Sequence, residues 1–187
     1  MANADAPAGF RPVKNLSGAP YTGATIKCAF VTGDATATFI GDVVRLSGTA
    51  SPEGYPSIEQ GAATDTDFFG VITSFDPDPT DLESMHRLAS SARTCNVVPA
   101  NDALFVIQTD GAFAITDIGE TVDIIVGSGD TTTGISAMEL QSTNIGTGLN
   151  CYILGVDQRP DNEIDTNCDV IVRINETPFI SGGDIGV

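Results

Sequence analysis

Phe68-Phe69-Gly70-Val71-Ile72-Thr73-Ser74-Phe75 is a run of aromatic and β-branched residues, closed by Asp76-Pro77-Asp78-Pro79. A short apolar run rich in strand formers and bounded by breakers reads as a β-strand. Two prolines and two carboxylates in succession then make a turn. The same rhythm extends in both directions. Upstream, residues 25–31 and 37–40 flank a Thr-Gly-Asp turn at 32–34, and Gly41-Asp42 interrupts before Val43-Val44-Arg45-Leu46, which predicts a hairpin with a bulge. Downstream, residues 94–98, 104–109, 113–116, 122–126, 134–140, 151–156 and 169–174 are further strand candidates separated by Gly, Asp and Asn turns. Short strands at intervals of roughly 8–15 residues predict a mainly β fold, a single β-barrel or β-sandwich domain.

Helical signal is confined to Asp81-Leu82-Glu83-Ser84-Met85-His86-Arg87-Leu88, where apolar residues at 82, 85 and 88 and acids in the first turn predict one short helix. Residues 51–66, carrying Pro52, Gly54, Pro56 and Gly61, read as a long surface loop.

Charge divides the chain. Its 187 residues hold 8 Lys+Arg against 25 Asp+Glu, a formal charge of −17. Residues 1–27 carry Arg11, Lys14 and Lys27 against Asp5 alone, so the acidity lies in the remainder. Pro7, Pro12 and Pro20 bar a helix in the leading segment, and its few apolar residues cannot form a core. Residues 1–23 are therefore expected to be an extended N-terminal arm, reaching on the order of 65 Å, and residues 24–187 a β-rich body. Phe10, Pro12, Val13, Leu16 and Tyr21, with the cations Arg11 and Lys14 among them, are the candidate partner-binding residues of that arm. In an acidic body, Arg87, Arg93 and Arg159 are expected at internal, intersubunit or partner contacts.

Several function classes fall away. Eight basic residues are too few to release the counterions of nucleic acid or an anionic membrane surface, so neither is an expected partner. The start lacks a basic and apolar leader and no run of about 18 apolar residues is present, so synthesis in a cytoplasm is expected. Cys28, Cys95, Cys151 and Cys168 are too dispersed for a zinc or dithiol motif and read as small buried hydrophobes. His86 is the only histidine, and no nucleophile motif accompanies it. Asp76, Asp78 and Asp81, and Asp161, Glu163 and Asp165, alternate as calcium ligands do, but the second stretch has Thr166 where an EF-hand loop needs Gly. Catalytic residues, a metal site and a cofactor are all unexpected, which leaves an interaction or structural protein.

A resemblance sharpens this. The opening Met-Ala-Asn-Ala-Asp-Ala-Pro-Ala-Gly-Phe-Arg-Pro-Val resembles the start of head decoration, or capsid cement, proteins of tailed bacteriophages. Phe39-Ile40-Gly41-Asp42-Val43-Val44-Arg45-Leu46, Gly134-Ile135-Ser136-Ala137-Met138-Glu139-Leu140 and Ile153-Leu154-Gly155-Val156-Asp157-Gln158-Arg159-Pro160 are similar to later segments of the same pattern. The resemblance implies a non-enzymatic protein on the outer surface of the virion capsid, a homotrimer that binds the major capsid protein and braces the head against packaged DNA. The alternatives are a phage tail or neck component, a virion-associated hydrolase using a pair such as Asp161 and Glu163, and a receptor- or glycan-binding knob.

Overall fold

A computed structural model describes residues 3–178; the first two residues of the expected arm and residues 179–187 of the expected body lie outside that range. The described chain is mainly β. Its strands are β1 (Arg11–Asn15), β2 (Ile26–Phe30), β3 (Val43–Ala50), β4 (Pro56–Gln60), β5 (Phe68–Phe75), β6 (Arg93–Pro99), β7 (Ala103–Gln108), β8 (Thr121–Ile125), β9 (Glu139–Gly146), β10 (Cys151–Val156) and β11 (Asp169–Ile174).

They make two sheets. One has six strands in the order β1-β7-β11-β10-β8-β9. The other five strands follow one another round a ring, β2-β4-β3-β5-β6 and back to β2, but the β2–β4 seam is one parallel pair, Ala29 opposite Ser57. The ring is thus a sheet rolled until its edges touch. The expected mainly β fold is present, laid out as these two sheets, but the expected 25–31/37–40 hairpin does not form. β2 pairs instead with β6, Cys28 opposite Cys95, because both cysteines and their neighbours fill the ring.

Strict alternation explains how the sheets meet. In β11, Val170, Val172 and Ile174 point inward and are each 0% exposed, whereas Ile171 and Arg173 face out. The inward set packs with Phe105, Ile107, Val122, Ile124 and Ile153 against Val43, Phe68, Val71 and Val98 of the ring wall, forming the larger core. Cys28, Phe30, Val44, Ile58, Ile72 and Val97 form a second, smaller core.

Two expectations fail for local reasons. No helix forms over residues 81–88; the helical element present is a 3-10 turn at Ile115–Asp117. Arg87 exchanges backbone hydrogen bonds with Thr38 (3.0 and 3.1 Å), and the Arg93 guanidinium binds the carbonyls of Ser84 and His86, so the groups a helix would pair internally are engaged elsewhere. Residues 51–66 are not one loop, since Pro56 opens β4 at a strand start, where a missing N–H is tolerated.

Candidate docking surface

The leading segment is folded into the body. β1 pairs antiparallel with β7, Arg11 opposite Val106 and Lys14 opposite Leu104. Phe10 is 1% exposed, its amide donates to Gly41 O at 2.9 Å, and its ring meets Phe105 edge to face with centroids 5.9 Å apart. Gly9 (φ +62°) and Gly41 (φ +98°) permit the crossing: a Cβ on Gly9 would lie 2.6 Å from Gly41 O, and one on Gly41 2.7 Å from Ala8 O. Further upstream, Ala6 N donates to Gln108 Oε1 (2.9 Å), and Asn3 bonds to residues 163 and 166. The expected free arm is therefore corrected. Buried apolar surface and a β-ladder fix described residues 3–15 to the six-stranded sheet, and Phe10 is a core residue in place of a surface anchor.

The other candidates divide. Arg11 Nη2 binds Asp169 Oδ2 at 3.1 Å, and Arg159 binds the same oxygen at 2.5 Å, so the fold brings these two cations together on one carboxylate. Pro12 and Val13 are half-buried in β1. Tyr21 folds back so that its amide donates to Val13 O (3.3 Å), its ring packs on the larger core, and burial raises its phenol pKa. Leu16 is 48% exposed. Near it, Asn15, Tyr21, Ile26, Val98 and Asp102 line a cleft of about 300 Å³.

Arg87 is wholly buried. Its Nη1 binds Asp34 Oδ2 (2.8 Å) and Thr36 O (2.5 Å), Nη2 binds Asp34 O (2.7 Å) and Val31 O (3.1 Å), and Nε binds Ser91 O (2.9 Å), with the guanidinium 4.7 Å from the Phe30 ring centre. Arg93 is held by the Asp76, Ser84 and His86 carbonyls and lies over Phe75. Arg87 thus has no capacity left for a partner.

Five of the eight cations, Arg11, Lys27, Arg45, Arg87 and Arg159, form ion pairs, and Arg93 is held by carbonyls. Among the described residues, Lys14 and Arg173 form none. Both lie on the outer face of the six-stranded sheet. One position beyond the pair Val172–Phe105, Arg173 is level with Leu104, which is opposite Lys14, while on its other side Arg173 is opposite Tyr152. Lys14, Leu104, Arg173 and Tyr152 therefore form one cross-strand row, spaced about 4.8 Å per strand. Tyr152 (38%) and Leu154 (42%) are exposed, as are Ile115 and Ile118 of the adjoining turn, and Arg173 Nε is enclosed without a hydrogen-bond partner.

The interior titratable groups do not assemble into reactive chemistry. His86 stacks flat on Phe39 (4.9 Å, 6°); burial first, then Arg93, lowers its pKa, which favours the neutral ring. Asp42 is 0% exposed, and burial raises its carboxyl against the opposing pull of Ser136, the Phe39 amide and Gln60. Burial pushes the Cys28 thiol up to about 12 and Cys168 up to about 11, and raises Cys95 and Cys151 as well; all four are buried and unbridged. No group of three or more His, Cys, Asp or Glu among the described residues is placed to hold a metal ion, and no helix there is long and apolar enough to cross a membrane.

Sequence reasoning missed Arg173, Leu104, Tyr152 and Leu154. The available signal was β10 itself, Cys-Tyr-Ile-Leu-Gly-Val, which is apolar at inward and outward positions alike and so leaves an apolar outer face. Comparison with family models, curated proteins and solved structures finds no match to this chain.

Proposed function

We propose that this chain is a non-enzymatic structural protein of a tailed-bacteriophage virion, a decoration protein that binds the outer surface of the major capsid protein shell and braces the head. One observation carries the reading. In a chain of charge −17, residues 6–33 contain no Asp or Glu, and this stretch presents Ile26 (43% exposed) in the lining of the cleft beside Tyr21 and Leu16 (48%) next to its lining residue Asn15. Among the described residues, Asp102 is the one acid lining that cleft, so this patch is less negative than the remaining surface and approaches a protein lattice with less repulsion than that surface would meet. The resemblance of the leader and of the later segments supports the same assignment.

The mechanism is rigid-body docking. Residues 16–26 insert apolar side chains between capsid subunits, and the folded body behind them bridges neighbours, so that separating two subunits also strips the bound copy. Several copies linked to one another would add avidity to a weak single contact. The test is co-sedimentation of purified protein with heads that lack it. The wild type is expected to pellet with the heads, and Leu16→Asp with Ile26→Asp to stay in the supernatant while keeping the wild-type circular dichroism spectrum. Failure of the wild type to bind, or undiminished binding by the folded double variant, overturns the proposal.

A further inference from the structure

A second exposed apolar area lies on the loops between β5 and β6 and between β8 and β9. Leu82 (77%), Met85 (51%) and Ile135 (40%) are exposed there, and the backbone of Met85 presses on Gly134, where a Cβ would come within 2.4 Å of Met85 O. The charges around it are negative. Among the described residues, Asp78, Asp81, Glu83 and Asp130 make no ion pair; the side chains of Asp78, Asp81 and Asp130 accept local turn hydrogen bonds from Thr80, Glu83, Thr132 and Thr133. Arg93, the nearest cation, is spent on carbonyls beneath the loop.

This loop is the counterpart of the outer-face row. The row offers apolar Leu104, Tyr152 and Leu154 around Lys14 and Arg173, two cations without an ion pair among the described residues, with the exposed Asp102 two residues before Leu104 at the Lys14 end, and Asp117 and Glu120 at the far border, in the 3-10 turn and just before β8. The loop offers apolar Leu82, Met85 and Ile135 among uncompensated acids. Each area lacks what the other supplies.

We propose that the chain self-associates head to tail, the 78–85 loop of one copy seating its apolar side chains on the β7-β11-β10 outer face of the next, with Asp81 and Glu83 opposite Arg173 and Lys14. The interface is heterologous: it uses two different patches of one chain, so it propagates to a closed ring where the rotation permits. An isologous contact of the outer face with itself would set Arg173 against Arg173 and is disfavoured by like charge. The long-range repulsion between two copies of charge −17 is screened beyond about 8 Å at physiological salt, whereas the contact pairs act inside that distance. The inference is independent of capsid binding, since neither Leu16 nor Ile26 belongs to the interface; it supplies the copy-to-copy link that avidity on a shell requires.

The test is sedimentation velocity of the isolated full chain, without capsids, at physiological salt over a range of concentrations. The wild type is expected to associate reversibly. Arg173→Glu alone, and Asp81→Lys with Glu83→Lys, are each expected to weaken association about tenfold or more while retaining the wild-type circular dichroism spectrum. Mixed in equal amounts, the two variants are expected to associate again, because the unaltered loop of the Arg173→Glu protein meets the unaltered outer face of the loop variant and that junction keeps the wild-type charges. A wild type that stays monomeric at all concentrations overturns the inference, as does association that survives both reversals, or a mixture no stronger than its components. Because heads are absent, none of these outcomes bears on capsid attachment, and loss of capsid attachment would leave this result standing.

Discussion

Replacing Phe10 with Ala removes the side chain that ties the leading segment to the core. Phe10 is 1% exposed, and its ring stands at 89° to that of Phe105. A buried aromatic side chain removes roughly 150–250 Å² from water; at about 25 cal/mol per Å² that is about 4–6 kcal/mol, from which the methyl retained by Ala is subtracted. The edge-to-face pair adds about 0.5–1.5 kcal/mol. The expected loss is therefore about 3–5 kcal/mol, the range seen for large aromatic truncations in cores. For a domain of this size that lowers the melting temperature on the order of 10 °C. Urea unfolding followed by circular dichroism, which suits a chain without tryptophan, reads the change directly. Leu16→Ala, at a 48% exposed position, is the control and is expected to cost less than about 0.5 kcal/mol. A Phe10→Ala protein within 1 kcal/mol of the wild type would refute the integrated leader and restore the free arm.

The remaining predictions concern buried polar groups. Arg87→Met leaves the Asp34 carboxylate and the Val31 and Thr36 carbonyls without their donor and is expected to cost about 3–5 kcal/mol; Arg87→Lys fails to rescue it, because one ammonium cannot replace a planar fork of donors. Equal unfolding midpoints for wild type and Arg87→Met would refute this. Burial raises the Asp42 pKa, so the folded protein holds this proton to higher pH than the unfolded chain does; that stability is full below the unfolded value and is lost as pH rises through the folded one. Asp42→Asn is therefore expected to gain on the wild type as pH rises above the unfolded aspartate value of about 4, and a difference in urea midpoints that is flat with pH contradicts it. All four thiols are buried with raised pKa values and are expected to resist an aromatic disulfide reagent at about pH 8 in the folded protein and to react fully in denaturant; a rapidly reacting thiol in the native protein contradicts it.

Strands that carry their own pattern were legible. Phe68–Phe75, Cys151–Val156 and Asp169–Ile174 stand where their residue runs place them, because each is apolar on the face it buries and is bounded by breakers. The pairing of strands was not, since β2 reaches across the chain to β6 on account of which side chains fill the ring, a property of the assembled core. β9 also stands later than its apolar run, at Glu139–Gly146 instead of 134–140, because Gly134, Ile135 and Ser136 turn back toward Asp130 and Ile40. In the leader, three prolines suggested a solvated arm. Pro12 instead sits in the edge strand, where the absence of one donor is tolerated, and Phe10, expected to anchor a partner, is buried in the chain's own core. The helix expected at residues 81–88 gave way to tertiary demands of Arg87 and Arg93, whose acceptors lie on other elements. Lys14 was legible as an exposed cation of the leader; Arg173 was not, because its lack of an acidic neighbour is visible only once the sheet order is known.

Electron cryomicroscopy of phage heads assembled with and without this chain addresses its proposed role most directly. The account predicts added density outside the major capsid shell, with the six-stranded sheet and ring recognisable, the 16–26 segment toward the lattice, and neighbouring copies meeting through the β7-β11-β10 face. Heads identical with and without the chain, or density for it confined to the tail, would contradict it.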